Sequence, residues 1–383
     1  MINRQRLADT FMRFVSIDSE SMKELQVSDQ IRQMLTPMAA EMHIDRAGEK
    51  IGGNTGNLIV KIQGNKNVPP LMFNAHMDTV TPGKGVRPQL KDGVFTSDGT
   101  TVLGGDDKSA VAVIIEVMRL LYENHLPHGP LELVFTICEE IGLMGAKHLD
   151  FNLITAKYGY ALDTADTEAI VTRAPSANRM EFVVHGKDAH AGADPEKGIN
   201  AILLASRAIA GLALGRIDHE TTCNIGVIEG GGASNIVPNR VRVQGEARSH
   251  DDAKLETVTR NMAAAFTVAV ADYQKIHGGG PLPRVDVHIE NDFRRTHVPE
   301  DHPVVVLARQ AATNLGRKLI SKTTGGGADA NVFFQKDIIT AVIGTGMRDI
   351  HTVRESIRLD DMVKTAELLL EIIALHSTGT YAS

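Results

Sequence analysis

The chain has no tryptophan, only 4% aromatic residues and only two cysteines among its 383 residues. Two thiols, Cys138 and Cys223, cannot build a disulfide framework, which excludes a small secreted scaffold and suits a reducing cytoplasm. No apolar run reaches the length of a membrane span. The opening residues, Met1-Ile2-Asn3-Arg4-Gln5-Arg6, lack the apolar core of a signal peptide, so a cytoplasmic location is expected. Positive charge is not in excess either: 40 basic residues face 47 acidic ones, for a net charge of −7. Without a basic patch, nucleic acid is not an expected partner, and neither is a membrane. Repeats and low-complexity linkers are missing, and Gly278-Gly279-Gly280-Pro281 reads as a plain turn. What remains is an ordinary apolar content, 43%, on a chain too long for one core, which points to two domains.

Against that plain background one stretch stands out, Leu103-Gly104-Gly105-Asp106-Asp107-Lys108-Ser109-Ala110. After it Ala110, Val113, Ile114, Val117, Met118 and Leu121 recur at three- and four-residue steps, predicting a helix to about Asn124 with one buried face. The acids open that helix, where its dipole favours negative charge. One Asp would serve as an N-cap. A second beside it repels the first unless a cation lies between them.

The pattern of chemistry at element ends recurs. Helices are expected over 5–17 and 24–41, a strand over 58–62, and a turn segment over 91–95. A strand within 70–80 ends on His76, with Asp78 two residues later. That spacing suits a metal-bound imidazole whose other ring nitrogen donates to a carboxylate; alone, it equally suits a strand-end His bonded to a turn Asp. The strand 131–137 stops at Cys138-Glu139-Glu140-Ile141-Gly142. In isolation this acidic pair is a solvated loop start, and Cys138 a small buried side chain rather than a nucleophile. The strand 158–163 ends on Asp163, and the strand 338–344 leads to a loop carrying His351 before a last helix over 359–376.

Thus His76, Asp106, Glu139, Glu140, Asp163 and His351 all follow strands or open a helix. In an open α/β sheet the carboxyl ends of strands line one crevice, where ligands bind. Four acids gathered there would repel and raise one another's pKa; two divalent cations would neutralise them. Oxygen and imidazole donors without thiolate suit Zn²⁺ first, with Co²⁺ or Mn²⁺ as further fits. Adjacent residues at a strand end point differently, so of Glu139 and Glu140 one can bind metal while the other handles a water's proton.

The middle of the chain has a different rhythm. A strand over 180–185, a helix over 198–214, strands over 222–228 and 240–248, a helix over 251–276 and a strand over 284–290 describe a two-layer α+β, ferredoxin-like domain. The expected organisation is an α/β domain from 1–174 and 295–383, with a mixed, mainly parallel sheet, interrupted by an α+β domain at 175–294.

Taken together and in this order, His76-Met77-Asp78, Gly105-Asp106-Asp107-Lys108, Glu139-Glu140-Ile141-Gly142, Asp163, His190-Ala191-Gly192 and His351 resemble the motifs of the co-catalytic di-zinc metallopeptidases, the family of peptidase T, carboxypeptidase G and aminoacylase. The likeness covers nearly the whole chain and is strongest to peptidase T. It implies a zinc-exopeptidase-like catalytic domain with an inserted lid and dimerisation domain. It also implies His76, Glu140, Asp163 and His351 as terminal ligands, Asp106 bridging two metals, Asp78 orienting His76, Glu139 as general base, and a cis peptide between Asp106 and Asp107. By the same resemblance His190 is a lid histidine that reaches the partner subunit's site in a homodimer and stabilises the oxyanion; without it, His190 is a turn histidine beside Gly192. Asn235 and Arg248 fall where relatives bind substrate. In Gly325-Gly326-Gly327-Ala328-Asp329-Ala330-Asn331, the backbone around Gly326 is suited to cradle a substrate carboxylate ahead of a helix; the alternative is that Asp329 binds the substrate's free amine instead. A phosphate loop is the rival there, but no Gly-Lys-Ser/Thr follows.

Relatives acting as deacylases or carboxypeptidases often carry Glu where this chain has Asp163, so the resemblance leans towards an aminopeptidase acting on short peptides. The alternatives are an N-acyl amino acid amidohydrolase or carboxypeptidase of the same family, and a catalytically silent metal-binding dimer. The intact Glu139 argues against the silent form, because binding alone needs no base. A nucleotide-binding α/β protein rests only on scattered glycines.

Overall fold

The computed structural model describes residues 1–38 and 41–379. Its contacts divide the chain into two units. One comprises Met1–Arg173, Thr296–Thr324 and the described residues from Ala328 on; the other comprises Ala174–Arg295, with which the short run Gly325–Gly327 is grouped.

The first unit is built on a mixed sheet whose middle is parallel. In order across it lie Glu41–Ile44, Leu58–Ile62, Leu131–Thr136, Leu71–His76, Tyr158–Ala161, Ile339–Ile343, Ala169–Ala174 and Thr296–His297, with Ile320–Thr323 pairing to Ala169–Ala174. The four strands from Leu131–Thr136 to Ile339–Ile343 run parallel to one another. Leu71–His76 and Leu131–Thr136 are buried at every residue, as strands covered on both faces must be. Their side chains alternate between two cores. Phe73, Leu133 and Phe135 join Phe11, Phe14, Val113, Val117 and Ile372 on one face, while Met72 and Val134 join Ile59, Ile154 and Phe333 on the other. Register then aligns the strand ends: His76 faces Thr136, and Asn74 faces Ala161. His76, Glu139 and Asp163 therefore leave the sheet along one edge.

The second unit is a five-stranded antiparallel sheet, ordered Gly215–Arg216, Thr221–Gly230, Arg240–Ser249, Ser176–His185 and Arg284–Phe293. Helices Ala201–Ala210 and Asp252–His277 pack on it through Phe182, Val184, Leu204, Val243, Met262 and Phe266, and the rings of Phe182 and Phe266 stack at 4.1 Å. This is the two-layer α+β arrangement its element order predicts.

Two local expectations are corrected. The helix expected over 24–41 covers only Leu25–Leu35, and Glu41–Ile44 is a strand; Ala39 and Ala40 lie outside the described residues. Pro37 supplies the reason, since it has no N–H to donate back along the helix. The helix expected over 198–214 is Ala201–Ala210, opened by Asn200, whose side chain accepts the Leu203 N–H at 2.9 Å. Among the described residues no helix is long and apolar enough to cross a membrane.

Candidate metal centre

Each group of the centre is held by the end of an element. His76 closes the Leu71–His76 strand, and its Nδ1 lies 3.1 Å from the Asp78 carbonyl and 3.4 Å from Asp78 Oδ1. That leaves Nε2 to face Asp106 Oδ1 at 3.1 Å. Asp78 also accepts the backbone N–H groups of Glu139 and Glu140, at 3.0 and 3.2 Å, and the Ser21 hydroxyl at 2.6 Å. One buried carboxylate thus orients the imidazole and pins the acidic pair on the neighbouring strand, as the partners of a metal-binding imidazole do.

Asp106 stands between two imidazoles. Its Oδ1 faces His76 and its Oδ2 faces His351 Nε2 at 3.2 Å. The Gly105–Glu123 helix begins irregularly here: Asp106 and Asp107 have non-helical dihedrals and the peptide bond between them is cis. Asp107 turns back to accept the His76 backbone N–H at 3.2 Å. His351, held at φ +61°, also lies 3.0 Å from Glu140 Oε2. Donor atoms of His76, Asp106 and Glu140 all lie within 4.8 Å of one another, and so do those of His76, Glu139 and Asp163. This spacing admits Glu139 either as a ligand or as a base beside the ligands.

The electrostatics match a cation site. Burial, with Asp106 and other acids adding to it, raises the Asp163 carboxyl to about 8. Burial likewise lifts Glu139 and Glu140 above the ordinary carboxylate range. Burial would also raise Asp106, but hydrogen bonds from His351 and His76 outweigh it and hold that carboxyl low. Asp106 and Glu140 in turn raise His351 to about 10. Glu140 Oε1 is buried without a hydrogen-bond partner. Crowded acids and an orphaned carboxylate oxygen are what a bound cation relieves. Two imidazoles and several carboxylates, with no thiolate, fit Zn²⁺, Co²⁺ or Mn²⁺.

The structure therefore brings together His76, Asp78, Asp106, Glu139, Glu140, Asp163 and His351. Asp329 joins the same unit: it opens the Asp329–Phe334 helix, accepts the Thr136 hydroxyl, and has the Asn74 amide at 3.4 Å. The remaining candidates belong to the second unit. There the Asn235 carbonyl accepts the Ala191 N–H at 2.9 Å, beside His190, whose exposed ring accepts the N–H groups of Gly192 and Ala193 at 3.2 and 3.1 Å. Arg248 bonds Glu246 at 3.0 and 2.9 Å, reaches the Gly325 carbonyl at 3.2 Å next to Gly326, and lies over the Phe293 ring.

Sequence reasoning missed two buried acids that act on main-chain groups. Glu24 accepts the N–H groups of Met22 and Cys138, at 2.9 and 3.1 Å, where Cys138 turns at φ +52° just ahead of Glu139. Glu355 holds the turn before Asp106. Only its place four residues beyond His351 could have flagged it.

Acids and imidazoles collected at the carboxyl ends of parallel strands define an α/β protein with a candidate metal centre. Comparison with known proteins narrows this. A family model, that of Peptidase family M20/M25/M40, matches residues 72–375, and the chain belongs to that family. It is a peptidase, and within the family it is peptidase T-like. The crystal structure of aminopeptidase PepT from Bacillus cereus is 41% identical, with a TM-score of 0.86 over 98% of this chain and 99% of its own. That of a tripeptidase from Staphylococcus aureus is 35% identical, with a TM-score of 0.91 over 99% and 100%. Peptidase T of Geobacillus thermodenitrificans is 25% identical over 425 residues, 98% of this chain and 100% of its own length.

Proposed function

We propose that this peptidase is a cytoplasmic, homodimeric exopeptidase that releases N-terminal residues from short peptides, using two divalent ions, Zn²⁺ by preference. The observation that carries the reading is Asp106, with one oxygen 3.1 Å from His76 and the other 3.2 Å from His351. Asp163 completes the donor set beside His76, and Glu140 the set beside His351. The names of the similar structures, an aminopeptidase and a tripeptidase, support the choice of substrate end and length.

The ions, when bound, would polarise the scissile carbonyl and bring the pKa of water towards neutrality. The chain's own residues do the rest. Asp78 fixes the His76 ring and the backbone of Glu139. Glu139 borders His76 and Asp163 and takes the attacking water's proton, then delivers it to the leaving amine. A carboxyl raised by burial is suited to both halves of that transfer. His190 donates to the developing oxyanion of the partner subunit's site. Its Nδ1 accepts two N–H groups, so the ring proton sits on Nε2 and that nitrogen is the donor. In the unit of the candidate metal ligands, Asp329 is suited to the free amine; Arg248, Asn235 and the backbone at Gly326 are the substrate-binding candidates of the other unit.

A library of di-, tri- and tetrapeptides, with free or acetylated N-termini, is incubated with the Zn²⁺-, Co²⁺- or Mn²⁺-loaded protein and the product masses are read. Release of the N-terminal residue from free-amine peptides is expected. Cleavage confined to N-acylated amino acids would replace this reading with the amidohydrolase one, and C-terminal trimming with the carboxypeptidase one.

A further inference from the structure

Glu355 lies four residues beyond His351 on the same loop and is buried. Its Oε2 accepts the backbone N–H groups of Leu103 and Gly104, both at 2.8 Å, and its Oε1 accepts that of Asp106 at 2.9 Å. One carboxylate thus closes three main-chain donors of the turn that presents Asp106. These donors lie ahead of the regular turns of the helix and are buried, so they need an acceptor from elsewhere in the chain. The two glycines of the turn fit the arrangement. Gly104 sits at φ +74°, and a Cβ on Gly105 would stand 3.1 Å from Glu355 Oε1.

We propose that Glu355 is a positioning residue for the metal centre: it ties the Asp106 turn to the His351 loop and so sets the 3.2 Å approach between Asp106 and His351. Its effect runs through the backbone of Asp106. A wandering turn would cost ion affinity, because coordination tolerates little displacement of its donors. The proposal rests on the two-ion reading above.

The test is a stepwise Co²⁺ titration of metal-stripped protein, followed by the visible absorption of bound Co²⁺. Wild type is compared with Glu355→Gln, Glu355→Ala and Gly105→Ala. Gln keeps the size but sets an amide donor against backbone N–H groups, while Gly105→Ala keeps the carboxylate and crowds it. The weaker of the two binding steps should lose about 10–100-fold in affinity in all three variants, with altered Co²⁺ bands. Should Glu355→Ala fail to fold, the other two carry the test. Variants whose metal-free form melts earlier, yet whose Co²⁺ affinities and bands match wild type, would reduce Glu355 to a structural role and overturn the proposal. If wild type takes up a single equivalent, the two-ion reading falls. The clamp is then judged on that equivalent, supported by a loss of affinity and refuted by none.

Discussion

Two neighbouring glutamates make different contacts. Glu140 Oε2 is 3.0 Å from His351, on the ligand side, while Glu139 reaches towards His76 and Asp163 from the other end of the pair. Both backbones hang on Asp78, so replacing one side chain leaves the frame standing. Glu139→Gln keeps size and hydrogen-bonding reach but cannot carry a proton. Its kcat should fall by about 10²–10⁴-fold, with KM and metal content near wild type. Steady-state kinetics with elemental analysis decides it. A variant that loses metal together with activity would make Glu139 a ligand instead of the base.

At the scale of elements, the helix and strand ends carry both the site and the limits of reading it from sequence. The His76, Asp163 and Glu139-Glu140 positions were legible because each follows a mostly apolar run, broken only by single polar residues such as Asn74 and Glu132, and parallel strands buried on both faces leave that signature. Ala169–Ala174 and Ile320–Thr323 were not singled out, being partly charged strands, with Arg173 and Lys322, beyond the parallel middle of the sheet. Glu355 was hidden for another reason: it acts on the Asp106 backbone from 249 residues away, and periodicity carries no trace of such a contact. The last helix, Leu359–His376, ends on a buried imidazole 3.2 Å from the Tyr158 hydroxyl. Burial lowers His376 from 6.5 to about 4. The unfolded chain then binds this proton first, so the stability tied to the neutral ring is whole above pH 6.5 and drains as pH falls towards 4. A shift of that size is worth on the order of 3 kcal/mol. Urea unfolding of metal-free wild type and His376→Gln between pH 7 and 4.5 should show the wild type losing more stability on acidification. Parallel slopes would mean that His376 is not the group concerned.

For the whole molecule, the decisive matter is how many chains complete one site. The candidate metal-binding groups all belong to one unit, whereas His190 and Asn235 belong to the other. That division makes action across a dimer testable by mixing. His190→Ala and Glu139→Gln should each be nearly inactive alone, one lacking the oxyanion donor and the other the base. Random reassociation puts about half of the molecules in mixed dimers, and if the lid histidine serves the partner, one of the two sites in each has both groups intact. Activity should therefore return to roughly a quarter of wild type, from two nearly silent parents. If His190 instead serves its own chain, every site in a mixed dimer lacks one group and no activity returns. Native mass spectrometry establishes that mixed dimers have formed, so a silent mixture that contains them assigns His190 to its own chain's site.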